Sequence, residues 1–359
     1  MRHTRRTINV LAGVLLVTSA VHLPGAGTAS ASVQGCPVTT DKWEAVDLGV
    51  VGAALDINDR GQIAGWRKGA SGESQAILWD KGKITEIGTL GGRESRAVAL
   101  DEDGRVTGYS DTADRRTHGF VWHNGKLEDL GTLGGYAALP KDISQGTVIG
   151  ETRVLKENGT RRGQAFVVRK GVRTDLDLTG GSEAEDINRS GQIAGTHRRT
   201  EGVGLPSDKQ TQRAFLWKDG VVKDLGTLGG DWSEARGLNG RGQVVGESAL
   251  GTDGVLQGGF VWSAESGMRR IEDGNGLARP AAINDSGVIV GLHSCETAYS
   301  TAYPSVWTDP GKAPARLPDP PGGVAKAVNA VNAKGEIVGM ALYSGNQPHA
   351  VLWKPKPMN

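Results

Sequence analysis

Two cysteines, Cys36 and Cys295, are all the thiols in the 359-residue chain, and aromatic residues make up only 5% of it. There is no cysteine cluster to hold a metal, and neither cysteine stands in a Cys-x-x-Cys motif or in the pattern of a His-activated nucleophile. No charge sign dominates: 41 Lys plus Arg face 40 Asp plus Glu, a net charge of +1. That near-balance excludes the basic footprint of a nucleic-acid binder and the charge excess of a disordered chain. The one long apolar run, Ile8 to Leu23, is interrupted by Asn9, Thr18, Ser19 and His22, so it is short and impure for a membrane span of ~20 apolar residues. Also missing are the G-x-S-x-G elbow, the H-E-x-x-H pair and the Gly-Lys-Ser/Thr phosphate loop.

What the chain has in excess is glycine, 55 residues, or about twice the usual ~7%. Glycine at that frequency points to many tight turns between short strands. The first residues read MRHTRR, then INVLAGVLLVTSAV, then a small-residue stretch ending Ala29-Ser30-Ala31. These are the three parts of a secretory signal peptide, so residues 1–31 are expected to be removed on export and residues 32–42 to form an N-terminal extension. Arg5-Arg6 leaves twin-arginine export open, and Val33-Gln34-Gly35-Cys36 offers a poorer match to lipidation at Cys36. In an oxidising compartment the even cysteine count favours a Cys36–Cys295 disulfide.

A Gly-x-[Ile/Val/Thr]-x-Gly unit recurs at Gly61, Gly104, Gly146, Gly191, Gly242, Gly287 and Gly335, with successive starts 42 to 51 residues apart. Before each lies an apolar residue and a polar turn, as in Asp56-Ile57-Asn58-Asp59-Arg60-Gly61, which reads as strand, turn, strand. A third strand follows: QAILW to Trp79, HGFVW to Trp122, QAFVV to Val168, RAFLW to Trp217, GGFVW to Trp262, YPSVW to Trp307 and HAVLW to Trp353. A second turn and a fourth strand ending in Asp-Leu-Gly open the crossing GTLGG at 88–92, 131–135 and 226–230. Four strands in ~40 to 50 residues fit a propeller blade, and the recurrent Trp fits the core between blades.

The polar turn, the G-x-[IV]-x-G strand, the H-A-F-L-W strand and the D-L-G-T-L-G-G crossing resemble the unit of the HAF-repeat family of extracellular proteins, over essentially all of residues 43–354. The resemblance implies an exported repeat protein with a β-propeller fold and carries no settled activity. The third unit is a residue short at Ser144-Gln145, the fourth shortens its crossing to Asp177-Leu178-Thr179-Gly180-Gly181, and the last two replace GTLGG with Asp273-Gly274-Asn275-Gly276 and Asp319-Pro320-Pro321-Gly322.

The expected fold is therefore all-β, a seven-bladed β-propeller of four-stranded antiparallel blades over residues 43–354, with 355–359 as a tail. Residues 43–49 form a fourth strand without the three before it, and 350–353 a third strand without its fourth, so the N-terminal strand is expected to complete the last blade. Strand polarity gathers the variable segments 66–74, 109–117, 151–163, 196–212, 247–257, 292–302 and 340–348 on one face.

Candidate ligand-binding residues on that face are the aromatics outside the repeat pattern, Trp66, Tyr109, Tyr136 and Trp232, with Arg93 and Asp231 beside them and Glu94, Glu151 and Glu247 as further polar groups. His118 and His349 occupy one tolerant repeat position and read as structural. Asp101 and Asp103 have the alternate spacing of a calcium loop but read as an Asx turn. No catalytic residue, metal or cofactor is expected. The functional expectation is a monomeric, secreted, non-enzymatic module or scaffold that binds an extracellular polysaccharide or a secreted or cell-envelope protein. The alternatives are a polysaccharide hydrolase or lyase with carboxylates around the channel, and a structural envelope protein.

Overall fold

The computed structural model describes residues 38–155, 159, 161–176, 178, 180–200, 210–251, 257–273, 277–295 and 302–357. Contacts divide the chain after Gln34, and the unit that follows, Gly35–Asn359, is the subject here. The signal segment 1–31 and Cys36 lie outside the described residues.

The repeats become short antiparallel strands. The first eight are β1 (Trp43–Ile57), β2 (Ile63–Lys68), β3 (Ser74–Asp80), β4 (Lys83–Glu86), β5 (Gly91–Leu100), β6 (Val106–Thr112), β7 (Thr117–His123) and β8 (Lys126–Gly131). Then come β9 (Ala137–Ser144), β10 (Thr147–Leu155), β11 (Arg161–Arg169), β12 (Val172–Asp175), β13 (Ser182–Ile187), β14 (Ile193–Thr200), β15 (Gln210–Lys218) and β16 (Val221–Asp224). The last are β17 (Ser233–Leu238), β18 (Val244–Ala249), β19 (Gln257–Ser263), β20 (Gly267–Arg270), β21 (Leu277–Ile283), β22 (Ile289–Ser294), β23 (Ala302–Trp307), β24 (Ala315–Arg316), β25 (Val324–Val331), β26 (Ile337–Tyr343) and β27 (Gln347–Pro355). A 3-10 turn at Ser344–Asn346 is the only helical element among the described residues, and no helix there is long and apolar enough to cross a membrane.

Five hydrogen-bonded sheets result. β13–β16, β17–β20 and β21–β24 are each a four-stranded sheet in chain order. β5–β8 and β9–β12 are joined into one sheet by a single parallel pair, Thr117 with Ala137. β25–β27 and β1–β4 share a sheet because β1 serves two ladders: Trp43 to Asp47 pair with Pro355 to Val351 of β27, and Gly52 to Ile57 pair with β2. Residues 43–47 thus stand beside β27 as a fourth strand. Ahead of them, Thr40 N and Val38 O hydrogen-bond to Arg316 of β24.

Turn chemistry accounts for the hairpins. The second turn of several repeats has two residues at positive φ, Lys81-Gly82, Asn124-Gly125, Lys170-Gly171 and Asp219-Gly220, the conformation that matches the right-handed twist of paired strands. The second glycine of G-x-x-x-G is needed for a different reason. A Cβ on Gly195 would lie 2.2 Å from the Glu183 carbonyl oxygen and 2.6 Å from Phe215 Cζ, so the β-strand opposite and the HAF phenylalanine both require a bare backbone. Opposite each such glycine the first strand of the repeat is bulged, for example between Ala184 and Asp186.

The core lies between neighbouring sheets. Ala194, Ala214 and Leu216 of β14 and β15 pack with Ala235, Val244, Phe260 and Trp262 of β17–β19. Phe120, Phe166, Phe215 and Phe260 are fully buried. Trp122, Trp262, Trp307 and Trp353 are buried while Trp79 and Trp217 are half-buried, and Trp307 and Trp353 donate to Glu272 O and Pro318 O. The variable segments differ from expectation, since β10 runs to Leu155 and β11 starts at Arg161, making strand of much of 151–163.

The asparagine of each polar turn does two jobs. Asn188 Oδ1 accepts from Ser190 N and Gln192 N within its own turn. Its Nδ2 donates at 3.0 Å to Asn239 O in the next repeat. The relay continues from Asn239 to Asn284 O, Asn284 to Asn332 O, Asn332 to Asn58 O and Asn58 to Asp101 O, at 2.9–3.1 Å. Asp101 has no such donor, and its carboxylate instead accepts from Gly146 N of the following repeat. The Asn332 to Asn58 bond joins the last repeat to the first.

Candidate functional site

The same turns frame a cavity of about 390 Å³ whose wall carries Asp56, Asp142 and Asp186. Each follows a bulged residue, Leu55, Lys141 or Glu185, in the first strand of its repeat. A bulge re-aims the side chain beside it. At the same position the other repeats have Ala99, Gly237, Ala282 and Ala330, so the fold of a repeat does not require an acid there.

Each carboxylate accepts hydrogen bonds from backbone. Asp56 takes Ile57 N and, in the next repeat, Leu100 N; Asp142 takes Ile143 N and Ile187 N; Asp186 takes Leu238 N, all at 2.7–2.9 Å. Asp142 and Asp186 act directly on each other, the Asp186 charge raising Asp142. Packing on the cavity wall raises all three above the usual carboxylate range. Burial, then the Asp142 charge, lifts Asp56 to about 7. Burial, then Asp186, lifts Asp142 well above 3.8, and burial lifts Asp186 to about 6 against the bonds it accepts. The arrangement places three carboxyls with raised pKa values on one wall, the raw material of acid–base chemistry. Arg189 reaches over the rim to the carboxylates of Asp59 and Glu102, 3.3 Å from each.

A second charged group sits on the bulged residues themselves. Lys141 Nζ lies 3.2 Å from Glu185; burial opposes its charge, but Glu185, Glu183 and Glu151 together hold its pKa above the ordinary lysine value. Glu183 is pushed up to about 7 by burial and by Glu151. Among the described residues no group of three or more His, Cys, Asp or Glu is placed to hold a metal ion.

The expected ligand residues are dispersed. Trp66 and Tyr109 lie within β2 and β6 rather than beyond them. Arg96 lies between them, its guanidinium 4.9 Å from the Trp66 ring centre and its charge acting on Tyr109. Tyr136 is exposed and faces Arg161 at 5.7 Å. Asp231 and Trp232 precede β17, where the Asp231 carbonyl accepts from Arg213 and the Trp232 carbonyl from Ala249 N. Arg93 and Asp231 are exposed. His118 and His349 face the Asp of their D-L-G segments, with Nδ1 2.9 Å from Asp129 and Asp47. Asp101 accepts from Asp103 N and Arg105 N as an Asx turn does. No free cysteine occurs among the described residues.

Asp56, Asp142 and Asp186 were not among the expected site residues. The signal available was an acid before Ile-Asn or Ile-Ser in three repeats where the others have Ala or Gly; repeat spacing alone does not bring them to one cavity.

No family model and no curated protein sequence matches the chain. Solved structures do. The β-propeller domain of the Trilobed protease from Pyrococcus furiosus superposes with a TM-score of 0.57 at 9% identity, over 85% of this chain and 96% of that one. Acylaminoacyl peptidase from Pyrococcus horikoshii gives 0.57 at 10% identity over 84% of this chain and 50% of that one. A prolyl endopeptidase gives 0.54 at 15% identity over 84% and 49%. The chain spans about half the length of these two peptidases. The fold is thus an all-β propeller.

These neighbours correct the expectation of a non-enzymatic binding or scaffold module. The propellers of the Trilobed protease and of the two peptidases named above belong to hydrolases.

Proposed function

We propose that this propeller acts in the hydrolysis of peptides, with the cavity of Asp56, Asp142 and Asp186 as its site. The observation that carries the reading is the placement of Asp142 and Asp186 together with Asp56 on one cavity wall, where burial and their mutual charges raise all three carboxyls. The peptidase propellers of like fold support peptide as the substrate class. In the proposed step the ionised carboxylate takes a proton from water as its oxygen adds to the amide carbonyl. The protonated partner gives its proton to the departing nitrogen, so one water is divided across one C–N bond. The test is release of product from a pool of quenched fluorescent peptides between pH 4 and 8. Cleavage should fall by about 10²-fold or more in Asp142→Asn and in Asp186→Asn. Cleavage of no peptide, or cleavage by both variants as fast as by the unsubstituted chain, overturns the reading.

We propose further that the fold is a closed ring of seven four-stranded blades. Supporting this are the seven glycine units, the two ladders of β1, and the Asn332 to Asn58 bond between the last and first repeats. Membership of the HAF-repeat family and export through residues 1–31 rest on sequence, and a Cys36–Cys295 bridge is proposed with them. Backbone bonds that hold Val38 and Thr40 along β24, in the same sheet as β22, which Cys295 directly follows, support the bridge.

A further inference from the structure

A second cavity of about 390 Å³ opens between β10 and β11 on one side and β13 and β14 on the other. Its lining includes Arg153, Arg161, Arg162 and Arg198, against two acids, Glu151 and Glu183. Arg153 is engaged with Glu151 at 3.3 Å. Arg161 and Arg198 are exposed. Among the described residues Arg162 reaches only the Leu178 carbonyl, at 3.5 Å, and its buried Nε has no hydrogen-bond partner. A buried guanidinium N–H without an acceptor is costly, and an incoming oxyanion removes that cost. Arg guanidinium groups match carboxylates in a planar, bidentate fashion. The exposed Tyr136 ring adds a flat apolar face at the rim.

We propose that this cleft is a binding site for an acidic peptide segment, separate from the carboxylate cavity. The mixed lining chooses the ligand class. Glu151 and Glu183 repel a densely charged phosphate or sulfate polymer, yet they accept from peptide N–H groups while the arginines take spaced side-chain carboxylates. The volume suits one or two side chains and their backbone.

The test is fluorescence anisotropy with a labelled octapeptide of alternating Glu and Gly on residues 32–359, beside its Lys-Gly counterpart. Saturable binding of the Glu peptide that weakens with salt, weakens about tenfold or more in Arg162→Ala/Arg198→Ala, and is unchanged in Asp142→Asn supports the site. Arg198→Ala alone reads the same contact if the double variant misfolds, because Arg198 is exposed. Equal binding of the Lys peptide, indifference to the arginine substitutions, or tighter binding of inorganic tripolyphosphate than of the Glu peptide overturns it. The readout needs no cleavage, so it stands whether or not the chain hydrolyses peptides.

Discussion

Asp56, Asp142 and Asp186 each accept backbone N–H groups that tie one repeat to the next, and each holds its proton more tightly in the folded chain than the usual carboxylate does. A raised carboxyl pKa means that, between the ordinary 3.8 and the folded value of about 7 for Asp56, the native state binds more protons than the unfolded one. Their contribution is therefore full at the acidic end and is lost as pH rises through that window, at about 1.4 kcal/mol per pH unit for each proton involved. Denaturant unfolding should show stability falling from pH 5 to pH 7.5, and Asp142→Asn should flatten that slope. A slope of the opposite sign would contradict the assignment. The HAF and D-L-G motifs also become intelligible at this scale. The motif Asp caps its glycine turn, as Asp129 does for Gly131 N, while facing the motif His. Gln164 serves the same position by donating to Asp175, which is why the position tolerates exchange. The tolerance was legible in the sequence; the Asp partner was not, because it belongs to a different strand.

At the scale of the strand, one bulge organises each repeat: it sets the following residue on the cavity wall and presses a carbonyl against the second glycine. Gly195→Ala should cost about 1–3 kcal/mol or more, since its Cβ meets backbone oxygen that cannot step aside. The asparagine relay is more selective. Asn284→Ala removes an acceptor from its own turn and a donor to Asn332 O and should cost about 1–3 kcal/mol. Asn284→Asp, which keeps the acceptor, should cost less. Equal losses would mean that the acceptor within the turn contributes nothing and that the whole cost lies in the bond to the next repeat. The strand-turn-strand order, the tryptophan core and the glycine register were all readable from spacing, because they repeat locally. The convergence of three acids from β1, β9 and β13 was not, because no local pattern says which repeats face one another.

For the whole molecule, the sharing of β1 between two ladders makes the N-terminal strand a structural requirement. Removing residues 38–47 strips β27 of its partner and leaves an unpaired edge. That variant should lose cooperative thermal unfolding and self-associate on gel filtration, whereas removal of residues 1–31 should do neither. The functional account rests on the proposal that Asp142 and Asp186 share a proton. The most direct measurement is a ¹³C-NMR titration of the aspartate carboxyls in the intact mature chain, compared with Asp142→Asn. The account predicts a pair that titrates in two macroscopic steps, one above the ordinary carboxylate range, and a return of Asp186 toward that range when Asp142 is replaced. Aspartates that all titrate near 3.8, unchanged by the substitution, would contradict it.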